Sequence, residues 1–267
     1  MRDVARELPY TETTATVAAM AEPGAGEITA RPDVGRVFEG GRRVRLGDVD
    51  ATGRCRLDAA VRYLQDVARD DSADADLTDP MNWVVRRVML EVHVPPVFEE
   101  WVDVATWCSG HGSRWAERRT SLHGEDGAHL EGVTIWIYVD GETGRPKALN
   151  SDFFDIYGPT AADRRVSARQ SLSTSPIDGA TTEPWPLRFT DFDVLGHVNN
   201  AAQWGAVEEV VSRVDGPRQG IRAELEHGPG IEPGDETQLR WSAAEGGIHA
   251  WLMANGKAGS VARVRPL

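Results

Sequence analysis

The feature that most limits how this chain can fold is a nine-residue pattern that occurs twice, 143 residues apart (193 − 50). The first copy is RLGDVDATG, Arg45 to Gly53, and the second is RFTDFDVLG, Arg188 to Gly196. Each copy precedes a segment whose apolar residues recur with helical spacing. The repeat predicts two similar domains, each with a polar loop that leads into a helix, and 267 residues are enough for both.

The loop of the second copy carries more chemically active groups than the first. From Asp191 to Asn200 it holds two carboxylates, an imidazole and two amides. The start of a helix presents unpaired N–H groups and the positive end of its dipole, so it can hold an oxyanion or a polarised carbonyl. Base, acid and electrophile roles are then all available. The alternative is a purely structural loop, in which Asn199 or Asn200 caps the helix and Gly196 forms a turn.

The string D-x-D-x-x-G-H-V-N-N of the second copy, with Glu209 after it, resembles the C-terminal half of acyl-acyl-carrier-protein (acyl-ACP) thioesterases. The shorter D-x-D-x-x-G of both copies is similar to single-domain hotdog acyl-CoA thioesterases. The resemblance runs from about Val37 to the C-terminus. It implies an α+β fold, a tandem (double) hotdog with two antiparallel sheets, each wrapped around a long central helix. It also implies hydrolysis of fatty acyl-ACP to free fatty acid, within fatty acid biosynthesis, with no metal or organic cofactor.

The resemblance also suggests site residues. Asp193 falls on the loop carboxylate that acts as general base or nucleophile in hotdog thioesterases, and His197 would orient water or stabilise the carbonyl oxygen. A hydrogen-bonded structural imidazole is the alternative for His197. The predicted catalytic residues are Asp193, His197, Asn199 and Glu209, and the predicted substrate-binding residues are Asp50, Leu195, Asn200 and Trp204. No metal site is expected.

Two departures from the family pattern leave other functions open. The family asparagine two residues after the catalytic aspartate is Leu195, and a downstream Glu-Cys pair falls on Gly230 and Ile231. Glu232 is close enough to replace the lost glutamate. An apolar side chain cannot donate to a carbonyl, so a non-catalytic acyl-thioester or lipid-binding module is an alternative, as is an acyl-CoA thioesterase. A hotdog dehydratase fits the D-x-D-x-x-G pattern less well.

The two loops are not equivalent. The residues matching His197, Asn199 and Asn200 are Arg54, Arg56 and Leu57, which cannot act as a neutral imidazole and amide set. We therefore expect catalysis in the second loop and the acyl chain mainly in the first half.

Charge and cysteine content restrict the partners. The formal charge is −13 with a sequence pI near 5.0, which argues against nucleic acid and anionic membranes. An acidic carrier would need an arginine patch, with candidates at Arg86–Arg87, Arg114, Arg118–Arg119 and Arg164–Arg165. The lone cysteines, Cys55 and Cys108, fit a reducing cytoplasm. No signal peptide or membrane insertion is expected, and a homodimer is left open.

Periodicity and turn residues give the expected organisation. We predict a mobile N-terminal extension over 1–36, a first hotdog over 37–157, a linker over 158–186 and a second hotdog over 187–267. The central helices are expected at Leu57–Asp70 and Asn200–Ser212. A short helix is expected around Ala161–Leu172, and a strand near Leu187–Thr190. His111, His123 and His227 are expected to be ordinary turn or surface residues.

Overall fold

The structure is a computed structural model that describes residues 28–77, 82–244 and 246–267. Within these ranges the chain forms three α-helices and ten strands. The helices are α1 Leu57–Asp74, α2 Ser151–Ala161 and α3 Asn200–Arg213. The strands are β1 Phe38–Arg43, β2 Trp83–Val94, β3 Trp101–His111, β4 Trp115–Gly124, β5 His129–Tyr138, β6 Thr181–Pro184, β7 Ile221–His227, β8 Thr237–Ala244, β9 Gly247–Ala254 and β10 Lys257–Pro266.

The strands form a single antiparallel sheet in the order β1-β3-β4-β5-β2-β7-β10-β9-β8-β6. Each half contributes five strands in the same arrangement. The halves join where β2 pairs with β7, from Arg87 opposite Glu226 to Val92 opposite Ile221. The predicted α+β double hotdog is confirmed, with one refinement: the two predicted sheets are continuous. The open edge of each half finds its hydrogen-bond partners in the other half instead of in a separate chain.

Helices α1 and α3 pack against each other and against one face of this sheet. Their apolar stripes share one core cluster, in which Val61 and Trp204 are fully buried. Burial of such a side chain contributes about 1.5–3 kcal/mol. The two helices begin differently. Asn199 caps α3 with its own side chain, whereas the N-terminus of α1 receives Glu208 from α3, whose carboxylate accepts from the Leu57 amide at 2.5 Å. One half therefore helps to begin the helix of the other.

The predicted strand near Leu187–Thr190 is wrong. A short 3-10 turn occupies Phe189–Asp191, because the Asp191 carboxylate accepts from the Arg188 amide at 2.8 Å and closes the chain on itself. Asp48 closes the matching turn of the first copy on the Arg45 amide in the same way. The strand lies instead at Thr181–Pro184, within the range predicted as linker, where it pairs with β8.

The predicted helix around Ala161–Leu172 is also wrong. Helix α2 comes earlier and ends where Ala162 adopts a left-handed conformation, with φ 46°. The following residues cross the sheet without regular secondary structure. The amides of Ser171 and Leu172 donate to the buried Glu226 carboxylate at 2.9 and 3.1 Å, which fixes this crossing. A chain held by its own amide groups to a strand cannot continue as a helix there.

Most of the extension predicted over 1–36 lies outside the described residues. Its last part contacts the first half: Arg36 donates to Asp71 and Asp74 on α1, each at 2.6 Å, and the Thr29 carbonyl accepts from Arg119 at 3.3 Å. In the described part of the chain, no helix is long and apolar enough to cross a membrane.

Candidate active site

The second D-x-D loop is shaped by its own hydrogen bonds between the 3-10 turn and α3. The Asp193 amide donates to the His197 carbonyl, and the Gly196 amide donates back to the Asp193 carbonyl, both at 3.0 Å. Gly196 has a φ of 79°, which favours glycine at this turn. The Val198 amide then joins the loop to the Ile231 carbonyl at 2.9 Å. These bonds hold Asp193 and His197 on the same tight turn.

The Asp193 carboxylate is held by two donors. The Leu195 amide donates to one oxygen at 2.9 Å, and the Asn199 side-chain amide donates to the other at 3.2 Å. Asn199 also accepts from the Ala201 amide at 2.8 Å, so it caps α3 and fixes the carboxylate with one side chain. Asn199 therefore has the helix-capping role that was its structural alternative, and the same side chain also orients Asp193.

His197 lies over the chain segment that follows β7. A Cβ atom added at Gly230 would come within 2.6 Å of the imidazole, so only glycine leaves room for this ring. The His197 Nε2 atom is 3.8 Å from the Glu232 carboxylate. The departure at Gly230 and its expected substitute Glu232 are thus related: glycine at the position of the family glutamate leaves space for the ring, and the Glu232 carboxylate two residues later faces it.

A cavity of about 290 Å³ lies between the halves. The first half contributes Trp83, Val84, Val85, Arg86 and Ile137, and the second contributes chiefly Asp193, Leu195, His197, Asn200, Gln203, His227 and the turn Gly228–Gly230. Four of the eight predicted site residues therefore share one cavity. Its walls require both halves of the chain.

The cavity also contains a pair that the sequence did not reveal. His227, expected at a turn or on the surface, is 5% exposed, and its Nδ1 atom lies 3.2 Å from the Gln203 side-chain oxygen. The Gln203 amide nitrogen donates to the Val198 carbonyl at 3.3 Å, which leaves its oxygen to accept. The proton of His227 therefore sits on Nδ1. A glutamine in the apolar stripe of α3 was the signal that a buried polar partner existed.

The remaining nitrogen of His227 is free to accept a hydrogen bond. Its Nε2 atom is buried and has no hydrogen-bond partner among the residues that the structure describes. Burial, with a smaller contribution from the Arg86 guanidinium, lowers the pKa of His227 to about 3, so the ring is neutral near pH 7. A neutral imidazole with its proton on Nδ1 presents an unpaired lone pair on Nε2, in a residue that lines the cavity of Asp193.

The polar side chains of the first D-x-D loop are hydrogen-bonded to other groups of the protein. Asp50 accepts from the Thr52 amide and hydroxyl at 2.9 and 2.6 Å, and from the Arg54 amide and guanidinium, both at 3.1 Å. Burial acts to raise the pKa of Asp50, but these hydrogen bonds outweigh it and lower the pKa. Arg54, which matches His197, also forms a two-pronged pair with Glu208 at 3.0 and 3.3 Å. All these groups are engaged within the protein.

Besides Asp50 and Asn199, neither of which lines the cavity, two more predicted site residues lie apart from it. Glu209 is exposed and faces Arg213 on the outer side of α3, at 3.8 Å. Trp204 is fully buried in the core shared with α1. Leu195 lines the cavity and remains 53% exposed, which suits an apolar contact at its mouth.

The first half contains an apolar cavity of about 120 Å³ between α1, α2 and strands β3 to β5. Ala68, Leu77, Trp136 and Phe153 are among its lining residues. Trp83 lines both this cavity and the one that holds Asp193. An apolar space thus adjoins the polar site through one shared wall.

A groove of about 700 Å³ adjoins the site on another side and shares Arg86 and Ile137 with it. Arg114, Arg165 and Arg169 also line it, and no carboxylate does among the residues that the structure describes. The other arginines proposed from the sequence are engaged elsewhere. Arg87, Arg118, Arg119 and Arg164 pair with Glu226, Asp71, Glu131 and Glu117 respectively.

Comparisons with known proteins agree with this architecture. Family models match residues 35–157 (acyl-ACP thioesterase N-terminal domain) and 174–262 (acyl-ACP thioesterase C-terminal domain). An uncharacterized protein of Mycobacterium tuberculosis is 33% identical over 215 residues, which covers 80% of this chain and 86% of that protein.

Two solved structures share the fold. An acyl-ACP thioesterase from Bacteroides thetaiotaomicron is 19% identical, with a TM-score of 0.71 over 86% of this chain and 97% of that one. A 12:0-ACP thioesterase from Umbellularia californica is 18% identical, with a TM-score of 0.71 over 86% and 98%. The two family matches together span well over half of the sequence. The chain is therefore a thioester hydrolase that belongs to the acyl-ACP thioesterase family, whose members hydrolyse fatty acyl-ACP.

Proposed function

We propose that Asp193 is the carboxylate that drives hydrolysis of the acyl-ACP thioester in the cavity between the halves. The observation that carries the proposal is that Asp193, His197, Asn200 and His227 all line this one cavity. Asp193 takes a proton from water as the water oxygen attacks the thioester carbonyl. The carbon–sulfur bond then breaks, and the carrier thiolate leaves and is protonated. The general base has to be held in one orientation, which the Leu195 amide and Asn199 provide.

The attacking water needs two acceptors in order to be oriented. The Asp193 carboxylate supplies the first. The unpaired Nε2 of His227 is covered by protein in this structure and would supply the second once a water reaches it. A water that donates to both keeps a lone pair free for the carbonyl carbon. The neutral state of His227 suits this role, because an imidazolium would donate instead of accept.

The thioester carbonyl is expected to lie toward the start of α3. The Asn200 side chain can donate to the developing oxyanion there, in the field of the helix N-terminus. His197, with Glu232 at 3.8 Å, is placed either to stabilise the same oxygen or to protonate the departing sulfur. Glu232 thereby takes the position of the carboxylate that the family pattern places at Gly230. Asn199 acts through Asp193 and is a positioning residue.

The acyl chain is proposed to pass Trp83 into the apolar cavity of the first half. That cavity adjoins the site, and its lining is largely apolar. Asp50 and Arg54 are engaged with each other and with Glu208, so the first loop is proposed to be structural.

The carrier is proposed to approach along the groove of Arg86, Arg114, Arg165 and Arg169. Its guanidinium groups suit the phosphate of a phosphopantetheine arm and an acidic carrier surface. Coenzyme A carries the same arm, which keeps acyl-CoA as the alternative substrate. Both cysteines are free and buried, which supports a reducing compartment such as the cytoplasm. A homodimer of whole chains stays a prediction.

The test is release of free thiol from a panel of acyl-ACP and acyl-CoA thioesters of graded chain length. We expect turnover, with acyl-ACP preferred over the matched acyl-CoA in kcat/KM. A preference for acyl-CoA would favour the alternative carrier. Binding of acyl thioesters without thiol release at any chain length would favour a non-catalytic binding module.

A further inference from the structure

Three of the seven histidines of the chain lie side by side on one face of the sheet. The imidazole of His129 is stacked between those of His93 and His123, with ring centroids 4.3 and 4.8 Å apart. They come from three neighbouring strands, β2, β4 and β5. None of them lines the cavity of Asp193.

Sheet register explains why the three rings meet. His123 and His129 are directly opposite each other on β4 and β5, and Glu131 lies two residues farther along β5, opposite Ser121. Side chains two residues apart point to the same face of a sheet. His93 occupies an irregularity in the pairing of β2 with β5, between Val92 and Val94. Such bulges re-aim a side chain, and here the ring stacks on His129.

The ring nitrogens converge on one carboxylate oxygen. The Nε2 atom of His129 is 3.2 Å from Glu131 Oε1, and that of His123 is 4.0 Å from the same oxygen. The other oxygen, Oε2, is held by Arg119 at 2.7 Å, and Ser121 donates to Oε1 at 2.7 Å. Arg119 and Ser121 therefore fix the orientation of the Glu131 carboxylate. In metal sites, groups that do not touch the ion orient the carboxylate ligands in the same way.

We propose that His123, His129 and Glu131 form a binding site for a divalent metal ion of the zinc class. One ligand atom from each residue lies within 4.8 Å of the others. A tetrahedral zinc site has bonds of about 2.0–2.2 Å, so its ligand atoms are roughly 3.4 Å apart. The side chains of His123 and His129 are 63% and 41% exposed, which leaves space for both rings to move toward an ion. His123 would exchange its 3.0 Å contact with the Ser121 hydroxyl for a bond to the metal.

The ligand atoms, not the net charge, select a cation of this class. Glu91 lies opposite Glu131 on β2, with its Oε2 atom 3.6 Å from the Nε2 atom of His93. Each of these carboxylates is paired with an arginine, Glu91 with Arg222 at 2.9 Å and Glu131 with Arg119 at 2.7 Å. Two imidazoles and one carboxylate suit zinc, nickel or copper, whereas magnesium and calcium prefer oxygen ligands alone. Water would complete the coordination.

The experiment titrates the full-length protein, stripped with a chelator, with Zn²⁺ against a chromophoric competitor. We expect one equivalent of Zn²⁺ per chain. Removal of outer-sphere partners of a metal costs 10–100-fold in affinity, so loss of a ligand in His123→Ala or His129→Ala should weaken binding at least about tenfold. The matched control is His249→Ala, a histidine on β9 stacked on Trp251, which should bind as the wild type does.

A second readout separates metal binding from folding. Ligands that bind only the folded state raise its melting temperature, so Zn²⁺ should stabilise the wild type and His249→Ala, but not the double variant His123→Ala/His129→Ala. Melting without metal shows whether each variant is folded. The proposal is overturned if the wild type binds no zinc, or if the folded double variant binds zinc as tightly as the wild type. Thiol release does not enter the test, so its result is independent of the proposed catalytic residues.

Discussion

Replacement of the two equivalent aspartates, Asp193 and Asp50, by asparagine should separate catalysis from stability. In Asp193→Asn the side-chain oxygen can accept from only one of the two donors, the Leu195 amide or the Asn199 amide. One hydrogen bond to a charged group is lost, which costs about 1.5–3 kcal/mol. For a chain of this size each 1 kcal/mol lowers the melting temperature by roughly 2–4 °C. The proton acceptor is also lost, so kcat should fall at least about 10²-fold.

In Asp50→Asn the balance should reverse. The Asp50 carboxylate accepts from four donors and pairs with the Arg54 guanidinium at 3.1 Å. The bond lost in this variant joins two charged groups, and the three bonds that remain lose the charge of their acceptor. Asp50→Asn should therefore melt at a lower temperature than Asp193→Asn. Its kcat should change by less than about tenfold, because no donor or acceptor of Asp50 faces the cavity.

Both variants are measured by thiol release under saturating substrate, and by thermal melting followed with circular dichroism. The two rankings should be opposite, with Asp193→Asn worse in rate and Asp50→Asn worse in stability. If Asp50→Asn is the more damaging substitution for kcat while it remains folded, the assignment of the site to the second loop is wrong.

Three further outcomes are expected. Burial lowers the pKa of His227 to about 3, well below the ordinary 6.5, so unfolding at acid pH is favoured by proton uptake. The contribution of His227 to the free energy of unfolding is complete above pH 6.5 and falls by about 1.4 kcal/mol per pH unit as the pH drops toward 3. Thermal melts of a folded His227→Gln variant should therefore depend less on pH in this range. The double variant Arg114→Ser/Arg169→Ser should raise KM for acyl-ACP and reduce the salt sensitivity of that KM, with turnover of a neutral thioester unchanged. Arg218→Ser, on the α3–β7 connection, is the control. An equal rise in KM in the control would contradict the assignment of the groove to carrier docking. Glu208→Gln should lower the free energy of unfolding, measured in urea, by about 3 kcal/mol, because it leaves Arg54 buried with one charged partner fewer. Glu209→Gln should change this free energy by less than about 0.5 kcal/mol. Similar losses in the two variants would contradict the inward orientation of Glu208.

The sequence predicted the parts of the fold that depend on local patterns. The apolar stripe of α1 and the repeated Arg-x-x-Asp before each loop are local, so both helices and both loops were found. Strand β6 was missed, because Thr181–Pro184 is four residues long and mostly exposed, and it carries no apolar alternation. Its partner β8 is distant in sequence, and only the assembled sheet makes it a strand.

The candidate site was predicted in part for a similar reason. The family resemblance selected Glu209, but one residue along a helix turns the side chain by about 100°. The helix phase sends Glu208 inward and Glu209 outward. The contact between Gln203 and His227 was not foreseeable, because it requires α3 to pack over the end of β7, which is a tertiary relation.

The joining of β2 to β7 within one chain has a consequence for how the two loops can change. In a dimer of identical hotdogs, every substitution appears twice, so one loop sequence has to serve both as active site and as interface. A single chain removes that constraint. Arg54 occupies the position of His197, and it binds Glu208 of the second half at 3.0 Å. With the active site in the second loop, as proposed, a change that would remove both sites of a symmetric enzyme leaves one site here and adds an ion pair between the halves.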